Sequence, residues 1–146
     1  MMTIRRQEIV KLEDVLHLYQ AVGWTKYTHQ PQMLKKALSH SLAIYLALDG
    51  DAVVGLVRLV GDGFSSIFVQ DLIVLPSYQR QGIGSALMKE ALGDYKDAYQ
   101  VQLVTDQTEK NLGFYRSLGF ETLSTYDCSG MIWLDRKKIK IIIFLK

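Results

Sequence analysis

The stretch Asp71-Leu-Ile-Val-Leu-Pro-Ser-Tyr-Gln-Arg-Gln-Gly-Ile-Gly-Ser-Ala-Leu87 sets the expectations for the whole chain. An apolar run ends at Pro76, a polar loop with two glycines follows, and from Ile83 the apolar residues recur at helical spacing. The order is therefore strand, glycine-containing loop and helix. The first turn of a helix carries backbone N–H groups without internal partners, and glycine lets a ligand approach them closely. The sequence predicts an anion site, typically for phosphate, at this junction.

A Gly-x-Gly pair at a helix start is also compatible with an ordinary helix cap that binds no ligand. The longer pattern is more specific, because Gln79-x-x-Gly-x-Gly84 follows Val74-x-Pro76. A second block lies about thirty residues further on, at Phe114-Tyr-Arg-Ser-Leu-Gly-Phe120. In order and spacing, the two blocks resemble the acetyl-coenzyme-A signature and the Tyr-x-x-x-Gly-Phe block of the GCN5-related N-acetyltransferases, the GNAT superfamily.

The resemblance covers most of residues 3–134 and implies an α/β fold with a central mixed, mostly antiparallel sheet and helices on both faces. The residues themselves agree with this layout. Turn signals at Asp49-Gly-Asp51 and Gly61-Asp-Gly63 join three β-rich runs into an antiparallel meander. The strand–helix–strand unit over 64–105 requires a crossover, so its two strands are predicted to be parallel.

Hydrophobic periodicity and turn residues give the individual elements. The predicted strands are 3–7, 41–48, 52–60, 64–75, 99–105, 120–125 and 131–134, and the predicted helices are 12–22, 32–40, 82–92 and 108–118. The polar segment 24–31 between the first two helices carries two aromatic residues and is predicted to be a loop.

Length and composition are typical of one soluble globular domain, with 49% hydrophobic and 22% charged residues in 146. We assign 1–135 to a single N-acetyltransferase domain and 136–146 to a basic, apolar tail. No apolar run approaches the ~20 residues that a membrane span needs, and the N-terminal residues do not have the shape of a signal peptide. The prediction is a cytoplasmic protein without a membrane partner.

Five of the 17 basic residues lie in 136–146, which holds no acidic residue. The rest of the chain therefore carries more acidic than basic side chains and does not indicate a nucleic-acid partner. Three readings of the tail stay open, namely an edge strand, a membrane-surface tether and a non-native extension of the reading frame.

Acetyl-coenzyme A is the cofactor that the resemblance implies. The backbone N–H groups of 81–85 would hold the pyrophosphate, flanked by Gln79 and Arg80. The pantetheine arm would run along the strand before the loop, in a gap that a β-bulge near Asp71 opens between the parallel strands. The predicted cofactor-binding residues are Leu72, Ile73, Val74, Gln79, Arg80, Gln81, Gly82, Ile83, Gly84, Ser85, Asn111 and Tyr115.

Tyr115 matches the family's tyrosine, which donates a hydrogen bond or a proton to the leaving thiolate; its alternative is a helical tyrosine in the core. A backbone N–H near Ile73 would stabilise the developing oxyanion. The attacking amine must lose a proton, and Asp71 is the first candidate for that base. A relay through water is the alternative, and the other candidate bases are Asp106, Glu121 and His29.

Acceptor specificity in this family lies in the first helices and the final hairpin, which points to Trp24, Tyr27 and Trp133 as substrate contacts. Gly23-Trp24 and the segment ending in Trp133 also resemble a subgroup with plant arylalkylamine and lysine acetyltransferases and small bacterial relatives. The expected acceptor is an aryl- or alkylamine, with a protein lysine or N-terminus second. A non-catalytic acyl-coenzyme-A-binding module is the other alternative. The sequence leaves the oligomeric state open, and the resemblance adds a homodimer as one option, since members of the family are often dimers.

Other classes fit less well. A dinucleotide-binding oxidoreductase would need a third glycine where Leu87 stands. Cys128 is the only cysteine, which excludes an intrachain disulfide, and no Cys-His-Asp order suggests covalent catalysis. The three histidines lack metal-ligand spacing, so no metal is predicted.

Overall fold

The computed structural model describes residues 1–135. They belong to two compact units, Met1–Val104 and a second unit that begins at Thr105. The assignment of 1–135 to a single domain stays a prediction, and the tail predicted at 136–146 lies outside the described residues. Within those residues, no helix has the length and apolar character needed to cross a membrane.

The first unit is built on a five-stranded sheet. Its strands are β1 (Met2–Arg6), β2 (Ala43–Asp49), β3 (Ala52–Gly61), β4 (Ser66–Val74) and β5 (Gln100–Leu103). Its helices are α1 (Leu12–Ala21), α2 (Thr25–Thr28), α3 (Pro31–Ser39) and α4 (Ile83–Asp94), with a 3-10 turn at Pro76–Tyr78. The short helix α2 lies in the segment that the sequence predicted to be a loop.

The strands follow chain order across the sheet, from β1 at one edge to β5 at the other. Neighbours are antiparallel from β1 to β4, and β5 runs parallel to β4. Helix α4 connects these two parallel strands, as a crossover must. The prediction of a mixed, mostly antiparallel α/β sheet is confirmed.

Helices cover both faces of the sheet, which explains why nearly every residue of β2 is buried. On one face, residues of α1 and α3 such as Val15 and Leu34 pack with Leu56 of β3 in a single core cluster. Gly55, next to Leu56, faces the other way. A Cβ on Gly55 would lie 3.2 Å from Cδ1 of Leu87, so α4 packs closely against that second face.

A β-bulge interrupts β4 next to Asp71, as the sequence predicted. Arg58 of β3 pairs with Asp71, but Leu59 pairs with Val69, so Gln70 is an extra residue on β4. Paired residues point to the same face of a sheet. The bulge therefore aims Asp71 at the face covered by α1 and α3, whereas Val69 points to the face covered by α4.

The same position marks the end of pairing between β4 and β5, because the last pair joins Val69 to Leu103. Beyond it, the segment 70–74 has β3 on one side and no strand partner on the other within the described first unit. The two parallel strands thus part at the bulge, and β4 presents an open edge of backbone polar groups.

The second unit contains helix α5 (Glu109–Ser117) and a 3-10 turn at Leu123–Tyr126. The strands predicted at 120–125 and 131–134 are wrong. Ser and Thr hydroxyls near Thr122 bond to one another, and such local bonds compete with a sheet ladder. In the second segment, Met131 and Trp133 are 96% and 88% exposed, so no core among residues 1–135 imposes strand alternation on them.

Candidate active site

The loop between β4 and α4 has the backbone geometry of an anion site. Gly82 is the N-cap of α4 and has a φ of 78°, and Arg80 has a φ of 63°. A non-glycine residue in this left-handed region is uncommon, and such strain is retained mostly at functional sites. The chain therefore turns twice through left-handed conformations just before the helix begins.

The helix start offers backbone donors to a ligand. The first hydrogen bond of α4 runs from the Ala86 N–H to the Gly82 carbonyl at 3.0 Å, and no side chain caps the helix. The N–H groups of 83–85 thus have no acceptor in the part of the chain that the structure describes. A Cβ on Gly82 would meet nothing within 4 Å, so glycine is required there for its conformation and not for space.

The two glutamines of the loop bond to nearby backbone. Gln79 Nε2 donates to the Val74 carbonyl at 3.0 Å, and Gln81 Nε2 donates to the Ser77 carbonyl at 3.5 Å. Gln79 therefore ties the loop to the end of β4. Arg80 is exposed, as a side chain that meets a phosphate from solution should be.

The open edge of β4 presents alternate backbone groups. Leu75 N–H donates to the Val54 carbonyl at 2.9 Å. The backbone N–H and C=O groups of Leu75 and, by alternation, of Ile73 therefore point toward β3. The backbone N–H and C=O groups of Leu72 and Val74 consequently point toward the open edge. The sequence placed the oxyanion donor near Ile73, but the N–H of that residue points into the sheet. The N–H groups at the open edge are those of Leu72 and Val74, and that of Leu72, one residue earlier, lies next to the bulge.

Asp71, the first candidate base, has its carboxylate buried to 2% exposure in a hydrogen-bond network. Its Oδ2 accepts from the Tyr19 hydroxyl and from Arg58 Nε, each at 2.8 Å. Its Oδ1 accepts from the Tyr27 hydroxyl at 3.0 Å. A carboxylate with both oxygens engaged by protein donors acts as a structural anchor, and its role as the base stays a prediction.

The other donors of this network are also occupied. Arg58 is 5% exposed and reaches the Ser41 and Tyr27 hydroxyls at 3.3 Å each. Gln70, the bulge residue, donates to the Tyr27 hydroxyl at 3.4 Å. Among the described residues, every buried side-chain nitrogen and oxygen has a partner. The network therefore meets the condition under which charges are tolerated in a core.

Electrostatics keep the two tyrosines and the arginine of the network protonated. Burial, and then the Asp71 carboxylate, raises the pKa of Tyr19 and of Tyr27, so both phenols remain donors. Burial acts to lower the pKa of Arg58, but the adjacent carboxylate outweighs it and the pKa is raised. The guanidinium therefore stays charged.

Sequence reasoning missed Tyr19 and Arg58. Tyr19 falls on the apolar face of α1, where its hydroxyl gave no signal. Arg58 did give one, because an arginine within the apolar run Leu56-Val-Arg-Leu-Val60 must find an acidic partner in the core. The partner lies across the bulge and cannot be read from sequence spacing.

The predicted acceptor residues Trp24 and Tyr27 lie together over this network. Their ring centroids are 6.3 Å apart, and Tyr19 lies 6.1 Å from Trp24 and 5.0 Å from Tyr27. Trp24 and Tyr27 are only half-buried, whereas Tyr19 is fully buried. The three rings form an aromatic cluster. Trp24 and Tyr27 are its partly exposed members, and Tyr19 is its buried member.

Three predicted site residues belong to the second unit, namely Asn111, Tyr115 and Trp133. Tyr115 is half-buried against Phe114 and Phe120, and burial raises its pKa. The N–H of Asn111 donates to Thr108 Oγ1 at 3.1 Å, which caps α5. Trp133 is 88% exposed within this unit.

The alternative bases lie in three different parts of the chain. The Thr122 N–H and Arg116 lower the pKa of Glu121, which makes it a weaker base. His29 is exposed at the end of α2, and Asp106 lies in the segment before α5.

Comparison with known proteins places these features in a family. A model described as an acetyltransferase (GNAT) domain matches residues 40–122. A solved GNAT-family acetyltransferase of Streptococcus pneumoniae is 79% identical, with a TM-score of 0.86 over 93% of this chain and 99% of that one. The PaiA N-acetyltransferase of Thermoplasma acidophilum, solved with coenzyme A, is 18% identical with a TM-score of 0.64 over 82% and 90% of the two chains, a likeness of fold alone.

Two curated plant proteins are also similar. The chloroplastic serotonin N-acetyltransferase 2 of Oryza sativa is 30% identical over 70% of this chain and 52% of its own length. The chloroplastic GCN5-related N-acetyltransferase 1 of Arabidopsis thaliana is 28% identical over 93% and 68%. The chain therefore matches about half to two thirds of the length of these relatives.

The buried ion pair generates a stability prediction. Arg58→Met would leave the Asp71 carboxylate without its cation and lower the free energy of unfolding by about 3–5 kcal/mol. Replacing both charges, Arg58→Met with Asp71→Leu, should recover part of that loss. Urea denaturation measures both.

Arg116→Met is the matched control, because Arg116 pairs with Glu121 at a similar 2.9 Å but is 50% exposed. It should shift the urea midpoint little, since exposed pairs contribute little. An equal shift in the two single variants would contradict the assigned role of the buried pair.

The glycine loop generates a binding prediction. Gly82→Ala forces an L-residue into the left-handed region and should weaken coenzyme A binding roughly tenfold by calorimetry. Gly93→Ala is the control on the same helix, because a Cβ there also meets nothing within 4 Å and its φ is ordinary. Unchanged affinity in Gly82→Ala would contradict the anion site.

Proposed function

The chain belongs to the acetyltransferase (GNAT) family, and on that basis we propose that it transfers acetyl from acetyl-coenzyme A directly to a primary amine in a ternary complex. The observation that carries the proposal is the left-handed glycine loop. It leaves the first-turn N–H groups of α4 without protein acceptors in the described chain, right after a strand with an open edge.

Residues of the first unit would hold the cofactor by its two polar parts. The N–H groups of 81–85 and the exposed Arg80 suit a pyrophosphate, since helix N-termini favour anions. The open edge at Leu72 and Val74 suits the amides of a pantetheine arm, which can pair with it like an added strand. The Leu72 N–H would then meet the thioester oxygen as negative charge develops on it.

The reaction needs two proton movements. The amine nitrogen attacks the carbonyl carbon and loses a proton, the carbon–sulfur bond breaks, and the thiolate gains a proton. Tyr115 is the proposed donor to sulfur, and its raised pKa keeps the phenol protonated at neutral pH. Asp71 would have to give up a bond from Tyr19, Tyr27 or Arg58 to act as the base, so the geometry favours a relay through water.

An aryl- or alkylamine is the proposed acceptor. The half-buried rings of Trp24 and Tyr27 support it, because aromatic faces attract both ammonium groups and other rings. Similarity to a relative named as a serotonin N-acetyltransferase supports the same class. A cytoplasmic location, the absence of membrane and nucleic-acid partners and a homodimer stay predictions.

An amine panel tests the reaction. With acetyl-coenzyme A, arylalkylamines such as tryptamine should release free thiol faster than a lysine peptide or a peptide N-terminus, and N-acetyltryptamine, which cannot accept, is the control. Preference for the peptides would favour the protein-acetylating alternative. Heat of coenzyme A binding without any amine-dependent release would identify an acyl-coenzyme-A-binding module.

Tyr115→Phe tests the donor. It should lower kcat by roughly 100-fold or more, as loss of a positioned proton donor does, and leave coenzyme A affinity unchanged. Because the pKa of Tyr115 is raised, the wild-type rate should show no loss from Tyr115 ionisation up to about pH 10. Tyr126→Phe, at a tyrosine 69% exposed in the same unit, is the control, and full activity of Tyr115→Phe would exclude the role.

A further inference from the structure

The hydroxyl of Tyr27 joins two parts of the first unit that have different tasks. Its oxygen donates to Asp71 Oδ1 at 3.0 Å and is reached by Arg58 Nη2 at 3.3 Å and Gln70 Nε2 at 3.4 Å. Its ring belongs to the aromatic cluster, and Tyr27 itself sits on α2. One side chain thus contacts both the aromatic cluster and the bulge of β4.

The bulge is where β4 acquires its open edge. Gln70 is the extra residue, Asp71 is the first residue to pair with β3 after it, and Leu72 follows with its N–H toward the open edge. A shift of the bulge would therefore move the Leu72 N–H directly. Displacements of about 1 Å at a reacting group can cost roughly 100-fold in rate.

The network leaves the bulge little freedom to shift. Asp71 is held from α1 by Tyr19, from β3 by Arg58 and from α2 by Tyr27, and all three bonds are 3.0 Å or shorter. Tyr19 and Arg58 are buried, whereas Tyr27 is the half-buried member. Of the three donors to Asp71, only Tyr27 would consequently contact an acceptor that packs on the aromatic cluster.

We propose that Tyr27 is a positioning residue, whose hydroxyl fixes the β4 bulge and so places the Leu72 N–H for the thioester while its ring meets the acceptor. This role rests on the proposed acetyl transfer. It differs from a simple acceptor contact, because it acts through Asp71 and Gln70 on the strand edge. The class of acceptor that it suits is an amine carrying an aromatic or alkyl body.

Tyr27→Phe removes the hydroxyl and keeps the ring. The variant should lose roughly 10- to 100-fold in kcat, with the KM for acetyl-coenzyme A unchanged. The slow hydrolysis of acetyl-coenzyme A without an amine, in which water attacks the carbonyl carbon to give acetate and free coenzyme A, should fall by a similar factor. Amide hydrogen exchange over 66–75 should become faster.

Tyr45→Phe is the matched control. The Tyr45 hydroxyl donates to Asp94 Oδ2 at 2.6 Å on the face covered by α4, away from the bulge. Its loss should leave the hydrolysis rate, kcat and exchange over 66–75 at wild-type values. Equal effects of the two variants would show general destabilisation and overturn the proposal.

Two further outcomes separate the proposals. A Tyr27→Phe variant with a raised acceptor KM but normal hydrolysis and normal exchange would reduce Tyr27 to an acceptor contact and overturn the positioning role. If the wild type acetylates no amine and hydrolyses no acetyl-coenzyme A, the proposed function fails. Amide hydrogen exchange over 66–75 alone then tests whether Tyr27 is coupled to the bulge. Faster exchange in Tyr27→Phe would then support the coupling to the bulge, and unchanged exchange would overturn it.

Discussion

The ion pair between Arg58 and Asp71 is the constraint on which the rest of the site depends. Both side chains are almost completely buried, and removing two charges from water is costly unless every donor and acceptor is satisfied. Tyr19, Tyr27 and Ser41 supply those partners from α1, α2 and the segment before β2. The pair therefore dictates where three separate segments of the chain must lie relative to β4. An apolar pair of similar size would also fill the space, which favours the hypothesis that the pair contributes more to structural specificity than to stability.

One extra residue in β4 produces most of the functional geometry. The bulge turns Asp71 toward Arg58, and the pairing of β4 with β5 stops at the same position. An unpaired strand edge is usually a liability in a folded protein. Here it runs directly into the loop before α4, where left-handed turns at Arg80 and Gly82 leave the helix donors without protein acceptors in the described chain. Edge and loop together match a long ligand that carries amides at one end and phosphates at the other.

The local features of this arrangement could be predicted from the sequence, whereas the long-range ones could not. The pattern of a few neighbouring residues predicts Gly82 as the start of a helix, and the crossover connection requires that β4 and β5 be parallel. The partner of Asp71 is 13 residues away along the chain and its tyrosines are more than 40 away, so no spacing rule reveals them. The prediction of strands at 120–125 and 131–134 was wrong because it relied on local composition alone. Their β-rich composition was local, but hydroxyl bonds around Thr122 and the exposure of Trp133 decided the structure.

The chemistry of Asp71 follows from its position as an anchor. If this carboxylate accepted the proton of the incoming amine, Arg58 would become a buried cation without a counter-charge. Breaking a buried pair in this way costs about 3–5 kcal/mol, which would be added to the barrier at the moment of attack. Tyr19 and Tyr27 offer no compensation, since both already donate to the same carboxylate and their pKa values are raised. Anchor and base are therefore competing roles for one side chain, and the three donors bonded to Asp71 support the first. This supports the proposed relay through water, whose hydrogen bonds can rearrange without disturbing the strand proposed to hold the thioester.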